Sequence, residues 1–239
     1  MDDNEKFLDL FADVETALKS RLRLPANIRI GTGAMINDYV AMNPFWTDSA
    51  NRLRQLTDIR NVLTHQRGTA LGYPVAVSRP AVEALRGIKE HLLEPEAASH
   101  RYRKRVLSVS SGHSLAAVLA MAFDNGFSQF PVLTDGRFGG FITENEIIRW
   151  LGRRVKANSA KVDLSCISVK TLLKEKDPFL RGIPIFHFER IDSPVDEVMG
   201  RFSMEPALEA ILLTQSGRKH TLPEGIITQW DAARYPTPK

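Results

Sequence analysis

A repeated seven-residue pattern constrains the fold of this chain more than any other feature. The pattern Gly-x-Ile-Thr-x-x-acid occurs at residues 140–146 and again at residues 225–231. Both copies begin in an apolar, β-branched run and end in a helical pattern, so each marks the junction of a strand with a helix. Two such copies in one chain indicate an internal duplication, and duplicated units tend to pack against each other.

The segments around the two copies follow the same order of predicted elements: strand, helix, strand, strand, helix. In the first unit the two adjacent strands form a hairpin that turns at Asp135-Gly136. In the second unit Ser193 is the predicted helix cap, and a linker helix precedes the first strand. We therefore predict two βαββα units, over residues 100–155 and 156–237.

The first 95 residues have a different pattern, in which apolar positions recur at three- and four-residue steps. Proline- and glycine-containing segments separate the predicted helices. These helices cover residues 4–24, 33–42, 50–66 and 78–95. We predict an antiparallel helical bundle over residues 1–95, and hence an α+β protein in which the bundle precedes the two repeats.

Composition excludes several classes of protein. The 239 residues, 43% apolar and 25% charged, are typical of a globular chain with room for two domains. The single cysteine, Cys166, excludes an intrachain disulfide and a cysteine cage, and no metal is expected. The acidic start lacks a secretory-signal pattern, and no apolar run approaches the ~20 residues that span a bilayer. We expect a cytoplasmic protein without membrane contact, and its net charge of +4 permits but does not require nucleic acid.

The repeat resembles a known family. With the Phe-Pro-Val strand at residues 130–132, the two copies of the pattern make residues 100–237 similar to a pair of CBS domains, known as a Bateman module. The resemblance implies that the two repeats pack with pseudo-twofold symmetry. It also implies an adenine nucleotide (AMP, ADP or ATP) as a regulatory ligand, bound in the clefts between the repeats.

The resemblance further implies roles for particular side chains. Asp231 would accept hydrogen bonds from the ribose hydroxyls, and Thr228 would donate to a phosphate. Thr143 and Glu146 take the same positions in the first repeat, where the family usually has Asp instead of this Glu. The residues that would sandwich the adenine are Phe186, Phe188, Ala210 and Ile211. From spacing alone, both Thr-x-x-acid segments are ordinary helix-capping boxes, a role that is compatible with ligand binding.

Basic residues outside the pattern suggest further contacts. Lys219 and His220, in the loop before the second copy, are predicted from their charge to reach phosphates. The basic segment at residues 100–105 is either a solvated linker or a contact for RNA or nucleotide phosphates.

The predicted helix over residues 50–66 places Arg60 at the margin of its apolar face and His65 near its end. A charge at an apolar margin is costly unless it is satisfied, which predicts an ion pair with a carboxylate of a neighbouring helix. The candidate carboxylates are Asp13, Glu15 and Asp38.

The segment Arg60-Asn61-x-x-x-His65 also resembles the Arg-x4-6-His motif of HEPN domains. Active members of that family are homodimeric, metal-independent endoribonucleases, in which two motifs face each other across the dimer. The resemblance implies that His65 moves a proton, that Arg60 holds the scissile phosphate and that Asn61 orients either group. Other HEPN domains are inactive and serve dimerisation or binding.

The sequence therefore supports two hypotheses of different classes. In the first, a CBS pair senses an adenine nucleotide and adjusts an endoribonuclease-like site that acts on RNA across a homodimer. In the second, the protein is a non-catalytic regulator, and its bundle serves dimerisation or partner docking. A third hypothesis is RNA binding without cleavage.

Overall fold

The computed structural model describes residues 2–65, 73, 75–157, 162–175, 182–219 and 221–235. The chain forms two compact units. We call one the helical unit, and it comprises Met1–Ala97, Pro194–Pro206 and Arg234–Lys239. The other is the sheet unit, which comprises Ala98–Ser193 and Ala207–Ala233. Each unit therefore contains segments that lie far apart in sequence.

Helices from the first part of the chain form most of the helical unit. They are α1 (Asp3–Arg21), α2 (Thr32–Met42), α3 (Thr47–His65) and α4 (Arg79–Leu93). Their apolar faces meet in one core, which includes Phe7, Phe11, Leu18, Met35, Leu53, Leu63 and Leu85. The predicted N-terminal helical region is confirmed, because the spacing of these positions keeps one stripe of each helix out of water.

A single 3₁₀ turn, Pro44–Trp46, joins α2 to α3, so α3 begins at Thr47 rather than near residue 50 as predicted. This turn packs against α9 (Val195–Met204), a helix that sequence order assigns to the second repeat. The approach is close, since a Cβ on Gly200 would lie 3.0 Å from the carbonyl oxygen of Met42. Packing against the 3₁₀ turn therefore places α9 in the helical unit.

The sheet unit combines short strands with short helices. Its first half contains α5 (Ala98–Tyr102), β1 (Val109–Ser110), α6 (Leu115–Asn125), β2 (Gln129–Thr134), β3 (Arg137–Thr143), α7 (Glu144–Lys156) and α8 (Val169–Lys174). Its second half contains β4 (Phe186–Arg190), β5 (Ala210–Thr214), β6 (Gly225–Thr228) and α10 (Gln229–Ala233). Across the described parts of both units, no helix is both long enough and apolar enough to cross a membrane.

In the described part of the sheet unit, six strands form two sheets of the same topology, with strand orders β1-β2-β3 and β4-β5-β6. In each sheet the first pair of strands is parallel and the second pair is antiparallel. Gln129 pairs with Thr143 in the first sheet and Ala210 pairs with Thr228 in the second, so these positions are equivalent. The predicted α+β class is confirmed, since a strand order expected from the repeat occurs twice.

Aromatic rings join the two sheets. Phe138 and Phe141 on β3 pack against Phe186 and Phe188 on β4, with ring centroids 4.9 to 5.6 Å apart. Tilted and edge-to-face pairs of this kind bury a large apolar area while keeping favourable ring electrostatics. The two repeats therefore share one core within the sheet unit.

Local sequence signals had mixed outcomes. Ser114 caps α6, as its place before the helix predicts, and Asp135 and Gly136 both have positive φ, as the predicted hairpin turn requires. Ser193 does not cap α9, because the N-cap position is Pro194, which provides no capping side chain. Part of the basic segment before β1 is helical, since α5 extends to Tyr102.

Candidate ligand-binding site

The second copy of the repeated pattern forms a polar corner where β6 meets α10. Oδ2 of Asp231 accepts hydrogen bonds from both the N–H and the hydroxyl of Thr228, each 2.8 Å long. The N–H of Asp231 donates back to Thr228 Oγ1 at 3.4 Å, which completes a capping box. Within the described part of the chain Oδ1 of Asp231 accepts no hydrogen bond, so one carboxylate oxygen remains available to a ligand.

Thr228 and Asp231 line a cavity of about 650 Å³ in the sheet unit. This volume lies within the range of roughly 300–1,000 Å³ that is usual for small-molecule sites. Other parts of the lining come from the segment before β1, from the loop between α6 and β2, and from α10. The side chains that matter for its chemistry include Lys104, Arg105, Leu107, Phe127, Ser128 and Trp230.

Two cations reach this cavity because the basic segment is attached to the start of β6. The N–H of Lys104 donates to the carbonyl of Glu224 at 3.0 Å, and Arg103 forms an ion pair of 2.7 Å with the Glu224 carboxylate. Lys104 and Arg105 consequently line the cavity that contains Thr228. Of the two interpretations of this segment, a solvated linker and a phosphate contact, the position of these two residues favours the second.

In both repeats, close neighbours explain why the first residue of the repeated pattern is glycine. A Cβ on Gly225 would overlap the carbonyl oxygen of Tyr102, at the end of α5. A Cβ on Gly140 would lie 2.9 Å from Cδ2 of Leu173, on α8. In each repeat a second segment therefore crosses the strand very closely. Glycine fits there, whereas a residue with a Cβ would require its neighbours to move.

Two exposed aromatic rings also line the cavity. Phe127 is 51% exposed and Trp230 is 67% exposed. Phe127 follows Gly126, whose φ of 64° ends α6 with a left-handed C-cap. Trp230 lies on α10, beside the Thr228–Asp231 corner. Aromatic rings in such positions can stack on a nucleobase, because every base has a π-face.

The first copy of the pattern forms the same capping box in different surroundings. The N–H of Thr143 donates to Oε2 of Glu146, and the N–H of Glu146 donates to Oγ1 of Thr143, each at 3.2 Å. Thr143 is fully buried and Glu146 is 9% exposed. Glu209, just before β5, is half-buried and belongs to the electrostatic surroundings of Thr143, Asn145 and Glu146. Burial raises the pKa of Glu209, and the negative charge of Glu146 raises it further.

The four predicted adenine contacts lie outside the lining of this cavity. Ala210 and Ile211 are fully buried in β5, and Phe186 and Phe188 belong to the aromatic core between the sheets. Their contact with a ligand stays a prediction. The apolar lining of the cavity comes from other residues, among them Leu107, Phe127 and Trp230.

Of the two cations predicted in the loop before the second copy, the structure describes Lys219. Lys219 is exposed and is not part of the lining, and His220 lies outside the described residues. Lys104 and Arg105 belong to the segment with two predicted interpretations, and Trp230 had no predicted role. The available signal was the position of Trp230 inside the repeated pattern, between its threonine and its acid.

The predicted catalytic residues of the helical unit lie near the end of α3. Nη2 of Arg60 is 3.8 Å from Oε1 of Glu15, and the guanidinium carbon of Arg60 is 5.7 Å from the ring centre of Phe11. Nη1 of Arg60 donates to Oδ1 of Asn61 at 3.3 Å, while His65 is exposed at the end of the helix. Of the three carboxylates predicted as partners for Arg60, the structure identifies Glu15, on α1.

Comparisons with known proteins bear on the sheet unit. The CBS domain family model matches residues 100–153. No curated protein matches the chain. The chain is similar to the CBS domain of a CBS domain-containing membrane protein from Sphaerobacter thermophilus, with 16% identity and a TM-score of 0.45, over 67% of this chain and 100% of that one.

Two further solved structures are similar over most of their own length. One is the CBS domain pair of protein MJ0100, solved in complex with 5′-methylthioadenosine and S-adenosyl-L-methionine. Its identity is 17% and its TM-score 0.43, over 59% of this chain and 94% of that one. The other is a conserved protein from Pyrococcus horikoshii, with 19% identity and a TM-score of 0.42, over 61% of this chain and 97% of that one. Residues 100–153, which contain the first copy of the repeated pattern, thus match the CBS domain family, and the second repeat has the same sheet topology.

Proposed function

We propose that the sheet unit binds an adenine nucleotide (AMP, ADP or ATP) in the cavity beside Thr228, and that the protein is a ligand-binding regulator. One observation carries this proposal: a carboxylate, two cations and two exposed aromatic rings converge on a cavity of about 650 Å³. These three kinds of group correspond to the ribose, the phosphates and the base of a nucleotide.

The carboxylate of Asp231 suits the ribose. Its Oδ2 is held by two hydrogen bonds from Thr228, so the side chain is oriented before a ligand arrives. Its Oδ1 is an acceptor, and the ribose hydroxyls are donors. A hydrogen bond to a charged group contributes about 1.5–3 kcal/mol, which makes this contact a major part of the affinity. In this arrangement Thr228 orients the carboxylate rather than donating to a phosphate.

The phosphates and the base have other partners in the same cavity. Lys104 supplies a compact positive charge, and Arg105 supplies a planar guanidinium that can bind two phosphate oxygens at once. The rings of Phe127 and Trp230 offer apolar faces for the base. Because stacking alone does not distinguish adenine from guanine, the preference for adenine requires a direct test.

Isothermal titration of the full chain with adenosine, AMP, ADP, ATP and GTP tests the proposal. We expect the adenine nucleotides to bind more tightly than adenosine or GTP. Asp231→Asn should weaken binding tenfold or more, corresponding to at least about 1.4 kcal/mol. Asp135→Asn is the matched control, since asparagine tolerates the positive φ of this exposed turn position. The proposal is wrong if no adenine nucleotide binds, or if Asp231→Asn behaves like the control.

The helical unit has two proposed roles, which differ in their account of Arg60. The homodimeric, metal-independent endoribonuclease with an RNA substrate stays a prediction, as does the cytoplasmic location. The ion pair of Arg60 with Glu15 and its contact with the Phe11 ring support the non-catalytic alternative, in which the guanidinium stabilises α3 against α1. In that alternative the unit serves dimerisation or partner docking.

Incubation with structured RNA separates the two roles. The endoribonuclease hypothesis expects cleavage that survives EDTA and disappears in His65→Ala. If the wild-type protein and His65→Ala give the same RNA pattern, that hypothesis is wrong. The non-catalytic alternative expects this identical pattern, together with a lower melting temperature for Arg60→Ala, because the substitution removes an interhelical ion pair and its packing.

A further inference from the structure

The three residues that directly follow α5 are all cations, and we call them the cationic segment (residues 103–105). They have different surroundings. Arg103 forms its ion pair with Glu224, whereas Lys104 and Arg105 line the cavity of Thr228. Neither Arg103 nor Glu224 belongs to the described lining of that cavity. The ion pair therefore lies outside the site, where the cationic segment meets the start of β6.

The carboxylate of Glu224 uses both of its oxygens. Oε2 accepts a hydrogen bond from Nη2 of Arg103, and Oε1 accepts one from Nε2 of Gln215, each 2.7 Å long. Gln215 directly follows β5, and the N–H of Glu224 donates to the carbonyl of Leu213 on β5 at 2.8 Å. Glu224 is thus held on the β5–β6 pair by its main chain and by its side chain. It can serve as a fixed anchor for the cationic segment.

The main chain of the cationic segment is attached to the same place. Arg103 forms an isolated antiparallel bridge with Gly225, and the N–H of Lys104 donates to the carbonyl of Glu224 at 3.0 Å. A single bridge restrains where the segment lies along β6. The ion pair of Arg103 with Glu224 adds a second restraint, on the orientation of the segment. Long cationic side chains lose much rotamer freedom when they bind, so a restrained main chain reduces the entropy that a phosphate contact costs.

The charge of Glu224 has an opposite effect on an anionic ligand, because it repels phosphates and keeps Arg103 away from them. Solvent weakens this effect, since the side chains of Arg103 and Glu224 are 61% and 30% exposed. A phosphate contact of Lys104 or Arg105, by contrast, requires hydrogen-bond distance and therefore depends strongly on where the segment is held. The positioning effect should outweigh the repulsion.

We propose that Glu224 is a positioning residue for the phosphates of the bound nucleotide. By anchoring Arg103, it keeps Lys104 and Arg105 at the cavity, and it thereby sets the preference for ATP over adenosine. The inference rests on the proposed function, because it concerns the same nucleotide. Arg103 is in this account a partner of Glu224 and does not contact the phosphates.

Isothermal titration of the full chain with ATP, AMP and adenosine tests this inference. Glu224→Gln should weaken ATP binding about fivefold, the upper end for an exposed ion pair, weaken AMP binding less, and leave adenosine unchanged. Glu83→Gln removes an exposed arginine–glutamate ion pair from α4 and is the matched control, with all three affinities unchanged.

A charge swap separates positioning from direct phosphate contact. The double variant Arg103→Glu, Glu224→Arg keeps the ion pair with its polarity reversed and should restore most of the lost ATP affinity. Gln215 tolerates the swap, because its amide can rotate and accept a hydrogen bond instead of donating one. If Glu224→Gln fails to fold, Arg103→Gln removes the same ion pair from its more exposed side and should give the same pattern of affinities.

Three outcomes would overturn the inference and leave nucleotide binding intact. Unchanged or tighter ATP binding by Glu224→Gln would mean that Glu224 only neutralises a cation. Equal losses for ATP and adenosine would mean a general loss of structure. A charge-swapped protein as weak as Glu224→Gln would mean that Arg103 itself contacts the phosphates. A wild-type chain that binds no adenine nucleotide removes both the inference and the function on which it rests.

Discussion

The segments around Thr143 and Thr228 have the same sequence pattern and the same capping box, but they have different neighbours. Around Thr228 lie an open cavity, two cations and two exposed rings. Around Thr143 lie a buried core and the carboxyl group of Glu209, from the other repeat. The comparison teaches that the pattern specifies a strand–helix junction, while the residues opposite the junction determine whether it can receive a ligand.

The largest difference in stability between the two repeats is expected at their glycines. Gly225→Ala would push a Cβ into the Tyr102 carbonyl, which is backbone and cannot rotate away, and should lower the free energy of unfolding by about 2–3 kcal/mol. Gly140→Ala meets only the flexible end of Leu173 and should cost about 1 kcal/mol or less. Urea denaturation measures both. Equal losses would contradict this account of the crossing segments.

Substitutions of the two threonines should have separate effects, one on the free energy of unfolding and the other on nucleotide binding. Thr143→Val removes a fully buried helix cap, so we expect a loss of about 1–2 kcal/mol in the free energy of unfolding and unchanged nucleotide affinity. Thr228→Val removes the bonds that orient Asp231, so it should weaken nucleotide binding with about half that loss of stability. Thermal melts and titrations of both variants provide the measurement. A Thr143→Val protein that folds normally but binds nucleotide more weakly would reverse the comparison.

The cations of the open cavity should distinguish nucleotides by their phosphates. Lys104→Ala should weaken ATP binding about fivefold, near 1 kcal/mol, weaken AMP binding less, and leave adenosine unchanged. The loss should shrink at high salt because mobile ions screen the charge. Lys170→Ala, at an exposed position of α8, is the matched control. Equal effects on ATP and adenosine would mean that Lys104 does not contact phosphates.

The smallest effect is expected from the titration of Glu209. Because burial raises its pKa, the folded protein holds this proton more tightly than the unfolded chain. The resulting stabilisation is therefore present below the unfolded pKa and is lost as pH rises through the folded one. Glu209→Gln, which does not ionise, should gain stability relative to wild type between pH 4 and pH 8, by less than about 1 kcal/mol because solvent screens a half-exposed group. A constant difference between the two proteins across that range would contradict this expectation.

Local features were predictable where the interacting groups are close in sequence. The Ser114 cap and the Asp135-Gly136 turn depend on bonds and dihedral angles within four residues, and the structure has both. The requirement of Arg60 for a counter-charge was also predictable, since it follows from the helical period alone. The start of α3 and the cap of α9 were predicted wrongly, because the packing of α9 on a 3₁₀ turn depends on residues far apart in the chain.

The sequence by itself determined the repeat, the strand–helix junctions and the apolar stripes of the helices, because each depends on a period or a hydrogen bond within about one turn. Only the tertiary structure decided that Lys104 and Trp230 share a cavity, and that Thr143 and Glu146 of the first copy are buried. The physical reason is that strand pairing and sheet packing bring together groups whose separation along the chain leaves no periodic signal. The same seven-residue pattern therefore lies in an open, cationic cavity in one repeat and is buried in the other.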